Sequence, residues 1–204
     1  MPSTDATSNR TAQPGPEPSP QVSNLRDTTT YLTGHNDEGS AVVRSERQAK
    51  WTALDGGKMG FNQIYTNTFL ADLNDDADIK FHDEKVASGK LGLASKGAAV
   101  CRMVDFGPLY QCVMHRTKSL DFGILIEGEI EMVLDDGSVT RLKRGDIAVQ
   151  RATMHSWRNP SPTEWARMVF VLQDAKPVFV NGEKLDEDYG AGTEGMLPSG
   201  NEDD

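Results

Sequence analysis

The chain has 204 residues, with 31 Asp and Glu against 21 Lys and Arg, and a formal net charge of −10. It carries no basic block or stripe, which argues against a nucleic-acid partner, and no apolar run near the roughly 18 residues of a membrane span. Its two cysteines, Cys101 and Cys112, exclude a disulfide framework and read as buried thiols.

Residues 1–25 begin "MPSTDATSNRTAQPGPEPSPQ". This Pro- and Ser-rich stretch buries too little to offset its ordering entropy, so a disordered tail is expected, removable without loss of thermal stability. It lacks the apolar core of a secretory signal, so a cytoplasmic protein is expected.

Residues 26–99 read as an N-terminal strand extension with an acidic loop. "YLTGHNDEGSAVV" is strand, turn, strand, and "GFNQIYTNTF" alternates as a strand does. "DLNDDADIKFHD", residues 72–83, resembles a calcium-binding loop. However, Ala77 stands where the turn glycine belongs and Asp83 where a Glu closes the site. It is therefore read as a solvated acidic loop, with His82 in it and His35 in the first turn as surface residues. "DEKVASGKL" predicts one short helix.

Residues 100–180 carry the strongest period-2 signal. "AAVCRMVDF", "YQCVMHR", "FGILIEGEIEMVLDDGSVTRLKRGDIAVQ", "HSWRN" and "WARMVFVLQ" follow one another, separated by Gly, Asp, Asn and Pro. "DDG" is a hairpin turn and Gly145-Asp146 another. Many short strands at close spacing predict an all-β sandwich or barrel. From residue 181 onward the chain is acidic and Gly-rich, and a flexible tail over 181–204 is expected.

Within this pattern His115 and His155 each sit in a predicted strand beside turn signals. His115 and Thr117 share one strand face, and His155, Trp157 and Asn159 another. A pair of core histidines held by backbone carbonyls is the structural reading of the two. Trp157 and Tyr110 read as wall residues of a pocket, by packing or by substrate contact. Asn159 reads as a strand terminator and Arg158 as outward-facing.

These segments resemble the two motifs of the cupin family. In the first motif, Gly128 sets the frame, Asp121 stands where the family has Glu, Thr117 stands at the second His position and His115 at the first. In the second, "GDIAVQRATMHSWRN" supplies Gly145, Asp146, His155 and Asn159, with Gln150-Arg151-Ala152 in place of the usual Pro-x-Gly. Over roughly residues 30–180 the chain is similar to fungal cupin-domain oxidoreductases encoded with polyketide secondary-metabolite clusters.

The resemblance implies a single cupin-type β-barrel, a double-stranded β-helix or jelly roll. It also implies an enzyme acting on a polyketide-like or aromatic small molecule, and a homodimer. The departures reduce the family's ligand set to His115, Asp121 and His155. Two imidazoles and one carboxylate suit a divalent metal, Fe(II) first and Zn(II) or Mn(II) as alternatives, with Thr117 beside an open coordination position. A metal-free site is the competing expectation. Two rival functions stand beside the oxidoreductase: a decarboxylase, dehydratase, cyclase or isomerase in the same pocket, with His115 or His155 as acid–base, and a non-catalytic binder of a pathway intermediate or partner enzyme.

Overall fold

The computed structural model describes residues 20–190 and 198–200. The strands in chain order are β1 (Thr29–His35), β2 (Ala41–Gln48), β3 (Trp51–Leu54), β4 (Met59–Thr68), β5 (Ala98–Phe106), β6 (Ser119–Glu127), β7 (Glu129–Leu134), β8 (Val139–Lys143), β9 (Ile147–Arg151), β10 (His155–Arg158), β11 (Ala166–Asp174), β12 (Val178–Val180) and β13 (Glu183–Leu185). One helix, α1, spans Ala77–Ala87. It starts earlier in the chain than the predicted helix and takes in most of the acidic loop.

The barrel is built from a six-stranded sheet, in the order β3-β4-β5-β11-β6-β9, and a three-stranded sheet, β10-β7-β8. All pairings are antiparallel. Inward side chains of the large sheet, such as Val104, Leu125 and Met168, pack on Ile130, Leu142 and Trp157 of the small one. The fold expected from the strand pattern is therefore present, and β3 and β4 extend the main sheet rather than standing apart from it. Gly128 turns the chain from one sheet to the other at φ +77, where a Cβ would meet the Trp165 carbonyl at 2.9 Å. Only glycine tolerates both conditions.

Four expectations need correction. "YQCVMHR" forms no regular strand, because no neighbour pairs along its length. It is held by isolated bridges, Gln111 to Arg158, His115 to His155 and Arg116 to Asp188. His82 is buried on the inner face of α1. Its Nδ1 accepts the Thr66 backbone N–H at 3.1 Å and its ring stacks on Tyr65.

The acidic stretch after residue 180 also docks where it is described. Arg116 and Asp188 exchange backbone hydrogen bonds of 2.6 and 2.9 Å, and the Arg116 guanidinium donates to the Asp186 carbonyl. Gly190, at φ +73, passes so close to Met114 that a Cβ would lie 2.6 Å from its carbonyl oxygen. The first nineteen residues of the expected N-terminal tail lie outside the described residues. Residues 20–26 dock: Ser23 Oγ donates to Asp105 at 2.5 Å, and the Arg26 carbonyl accepts from Arg167 at 2.6 Å.

Because both bonds go to buried charges, a chain starting at residue 28 should be less stable than one starting at residue 20. The difference should be about 2 kcal/mol or more, several degrees in Tm. Equal melting temperatures for the two truncations would show that the segment adds nothing.

Candidate functional site

A cavity of about 390 Å³ lies inside the barrel. Its wall is largely apolar, formed by side chains such as Phe61, Val104, Phe106, Phe170 and Leu172. Into this wall are set His115, Thr117, Asp121 and His155, together with Arg102, Tyr110 and Asp55. The fold thus brings every candidate site residue, Trp157 included, to one cavity.

The two histidines are held as a pair. His115 N–H donates to the His155 carbonyl at 2.8 Å and His155 N–H to the His115 carbonyl at 2.9 Å. This closed antiparallel pair puts both rings on one face, with centroids 4.3 Å apart. Each Nδ1 lies 2.9 Å from the backbone carbonyl two residues earlier, that of Val113 or Thr153. A carbonyl only accepts, so Nδ1 carries the proton in both rings and the Nε2 lone pair is left free. Burial lowers the pKa of both, and His155, with His115 beside it, is pushed down to about 3. Both imidazoles are therefore neutral at pH 7. Trp157 sets its ring edge-on to His155 at 5.5 Å and packs on Phe170.

Asp121 projects inward from β6, between Ser119 and Gly123, and is only 4% exposed. Its Oδ2 accepts from the Thr117 hydroxyl at 3.3 Å, and its Oδ1 has no hydrogen-bond partner among the described residues. Burial raises its pKa to about 6, against the hydroxyls of Ser119 and Thr117 and the charge of Arg102. An unpartnered buried carboxylate oxygen is costly.

Two neutral imidazoles with fixed tautomers and one orphaned carboxylate oxygen fit a divalent metal in donor chemistry. Their grouping is looser than the sequence implied. The histidines adjoin, but among the described residues no three His, Cys, Asp or Glu side chains gather closely enough to form a ready-made metal site.

Two members of the wall escaped the sequence reading. Arg102 is buried in mid-β5. Asp55 sits at φ +49 before Gly56-Gly57 and accepts a hydrogen bond from the Tyr110 hydroxyl. Burial first, and then this carboxylate, push the Tyr110 pKa up. The signal for Arg102 was its parity with Val100, Val104 and Phe106; Asp55 gave none beyond the Gly-Gly that follows it. Arg158 does face outward, bonded to Glu131 at 2.6 Å. Asn159 closes its turn by donating to the Phe106 and Glu164 carbonyls.

The two buried groups set opposite pH dependences in metal-free protein. His155 takes up a proton near pH 6.5 when unfolded but only near pH 3 when folded. Its contribution to stability is present above pH 6.5 and is lost as pH falls toward 3. Asp121 has a folded pKa of about 6, above its ordinary 3.8, so its contribution is present below 3.8 and lost as pH rises through 6. Asp121→Asn should therefore raise Tm relative to wild type above pH 6 and leave it little changed below pH 4. A gain confined to acid pH would contradict the assignment.

No family model matches the chain. It is 39% identical over 179 residues to "Phomopsin biosynthesis cluster protein C'" of Diaporthe leptostromiformis, covering 87% of this chain and 94% of that protein. It is 37% identical over 162 residues to "Oryzines biosynthesis cluster protein J" of Aspergillus oryzae, covering 78% and 90%. It is also 36% identical over 168 residues to a cupin-domain-containing oxidoreductase of Neurospora crassa, covering 81% and 83%.

Proposed function

The chain belongs to the cupin family, in the company of fungal cupin-domain-containing oxidoreductases, and from that premise we propose a metal-dependent oxidoreductase acting on a polyketide-derived or aromatic intermediate of a biosynthetic pathway. The observation that carries this reading is the pair of neutral imidazoles, free at Nε2, in the same apolar cavity as the orphaned Asp121 carboxylate oxygen.

His115, His155 and Asp121 would hold the metal, which when bound supplies a Lewis acid or an oxygen-activating centre. The rest is the work of the chain itself. The Val113 and Thr153 carbonyls fix both rings. Thr117 steadies the carboxylate and, having no imidazole, leaves room on that side of the pair. The aromatic and aliphatic wall suits a flat, carbon-rich molecule and excludes water from it. The Tyr110–Asp55 pair adds a second hydroxyl–carboxylate contact to the wall.

One observation favours a second reading. The wide spacing of the three donors suits acid–base chemistry by His115 or His155 in a non-redox reaction, such as a dehydration or cyclisation.

The test uses an extract of a producing strain that lacks the gene, incubated with the purified protein in air, without oxygen and with chelator. Loss of product formation both anaerobically and with chelator supports the oxidoreductase. Unchanged conversion under all three conditions supports the acid–base reading and overturns the first.

A further inference from the structure

Arg102 has no assigned role in this chemistry, yet it is a buried cation in the wall of the cavity. It is 7% exposed and occupies an inward position of β5, where Val100 and Val104 on either side are apolar. Its Nη2 donates to the Gly92 and Leu93 carbonyls at 2.7 and 2.6 Å, and its guanidinium lies over the Phe61 ring. Its Nε is buried without a hydrogen-bond partner among the described residues. None of the ion pairs of the described residues includes it.

The same sheet contains a contrasting arginine. Arg167, likewise buried, is met by both oxygens of Asp105. Burying a guanidinium without such a counter-charge costs several kcal/mol. Burial opposes the charge of Arg102, and Tyr189 and then Asp121 lie near enough to favour it through space, without an ion pair. No carboxylate of the described residues pairs with Arg102, and the residue lines a cavity roomy enough for a small molecule. Guanidinium recognises carboxylates by charge-assisted hydrogen bonds of fixed geometry.

We propose that the molecule accepted by this cavity carries a carboxylate, which pairs with Arg102 while its carbon skeleton lies along the apolar wall toward His115 and His155. The proposal rests on the cavity being the substrate site, as argued above, but not on the metal. It narrows the substrate class from aromatic or polyketide-like molecules to their carboxylic acids. Arg102 is then a specificity-determining residue that selects and orients substrate.

The test is calorimetric titration of the full chain with 2-naphthoate and with 2-naphthylmethanol, which share a skeleton and differ in charge. Each is titrated into chelator-treated and into metal-loaded protein. Wild type should bind the carboxylate about tenfold or more tightly than the alcohol in both states. Arg102→Gln should lose that preference and keep alcohol binding, which also reports an intact cavity.

Equal affinities of wild type for the two compounds overturn the proposal, as does a preference that survives in Arg102→Gln. A preference present only with metal and indifferent to Arg102→Gln assigns the anion to the metal instead; it sinks this inference and supports the metal reading. If neither compound binds wild type at millimolar concentration, the cavity as a substrate site falls too. The wild-type comparison stands even where the variant fails to fold.

Discussion

Replacing Asp105 with alanine should destabilise the protein by about 3–5 kcal/mol, a large share of the roughly 5–15 kcal/mol that holds a domain folded. Asp105 is fully buried and meets the Arg167 guanidinium with both oxygens, at 2.5 and 2.7 Å. Arg167 also donates to the Arg26 carbonyl and lies over the Trp51 ring at 4.9 Å, while Ser23 donates to Asp105. Removing the carboxylate strands a buried cation and frees the N-terminal segment docked upon the pair. Asp105→Asn retains two polar atoms but not the charge, and should fall between alanine and wild type. Urea denaturation measures both. A loss below 1 kcal/mol for the alanine variant would show that the pair is dispensable to the barrel.

Much of this architecture could be read from residue order because alternation and burial have the same period. "AAVCRMVDF" became β5 over the residues predicted, with Val100, Val104 and Phe106 buried on one parity of the strand. The "DDG" turn joined β7 to β8 for the same reason, with hairpin chemistry added. "YQCVMHR" failed because alternation does not guarantee a neighbour. The segment pairs only at single residues. The docked ends were missed because composition reports how little apolar surface a segment has. It does not report that Ser23 or Asp188 finds a buried partner far away in sequence.

The site was legible where a local frame existed. Counting from Gly128 led to Asp121, Thr117 and His115, and the structure brings these to one cavity with His155. The closeness of the donors was not legible. Asp121 leans on Thr117, and the histidines lean on each other. Arg102 was invisible for a different reason. An arginine within a strand normally marks the solvent face, and only its parity with apolar neighbours told otherwise.

The second large effect concerns the metal. His155→Ala should lower affinity for a divalent metal at least a hundredfold. Loss of a ligand costs more than loss of a residue that merely orients one, for which tenfold to a hundredfold is usual. Asp121→Ala should weaken metal binding more than it weakens the fold, because it removes the one anionic donor along with a carboxylate that burial already disfavours. Thr117→His adds an imidazole beside Asp121 and should tighten binding.

The most direct measurement is the metal content of the full chain, purified without chelator and analysed by plasma mass spectrometry beside His155→Ala and Asp121→Ala. The wild-type chain should carry about one Fe(II), Zn(II) or Mn(II) and either variant little, with all three proteins folded. Wild-type protein carrying no more metal than the two variants would contradict a metal held by His115, Asp121 and His155.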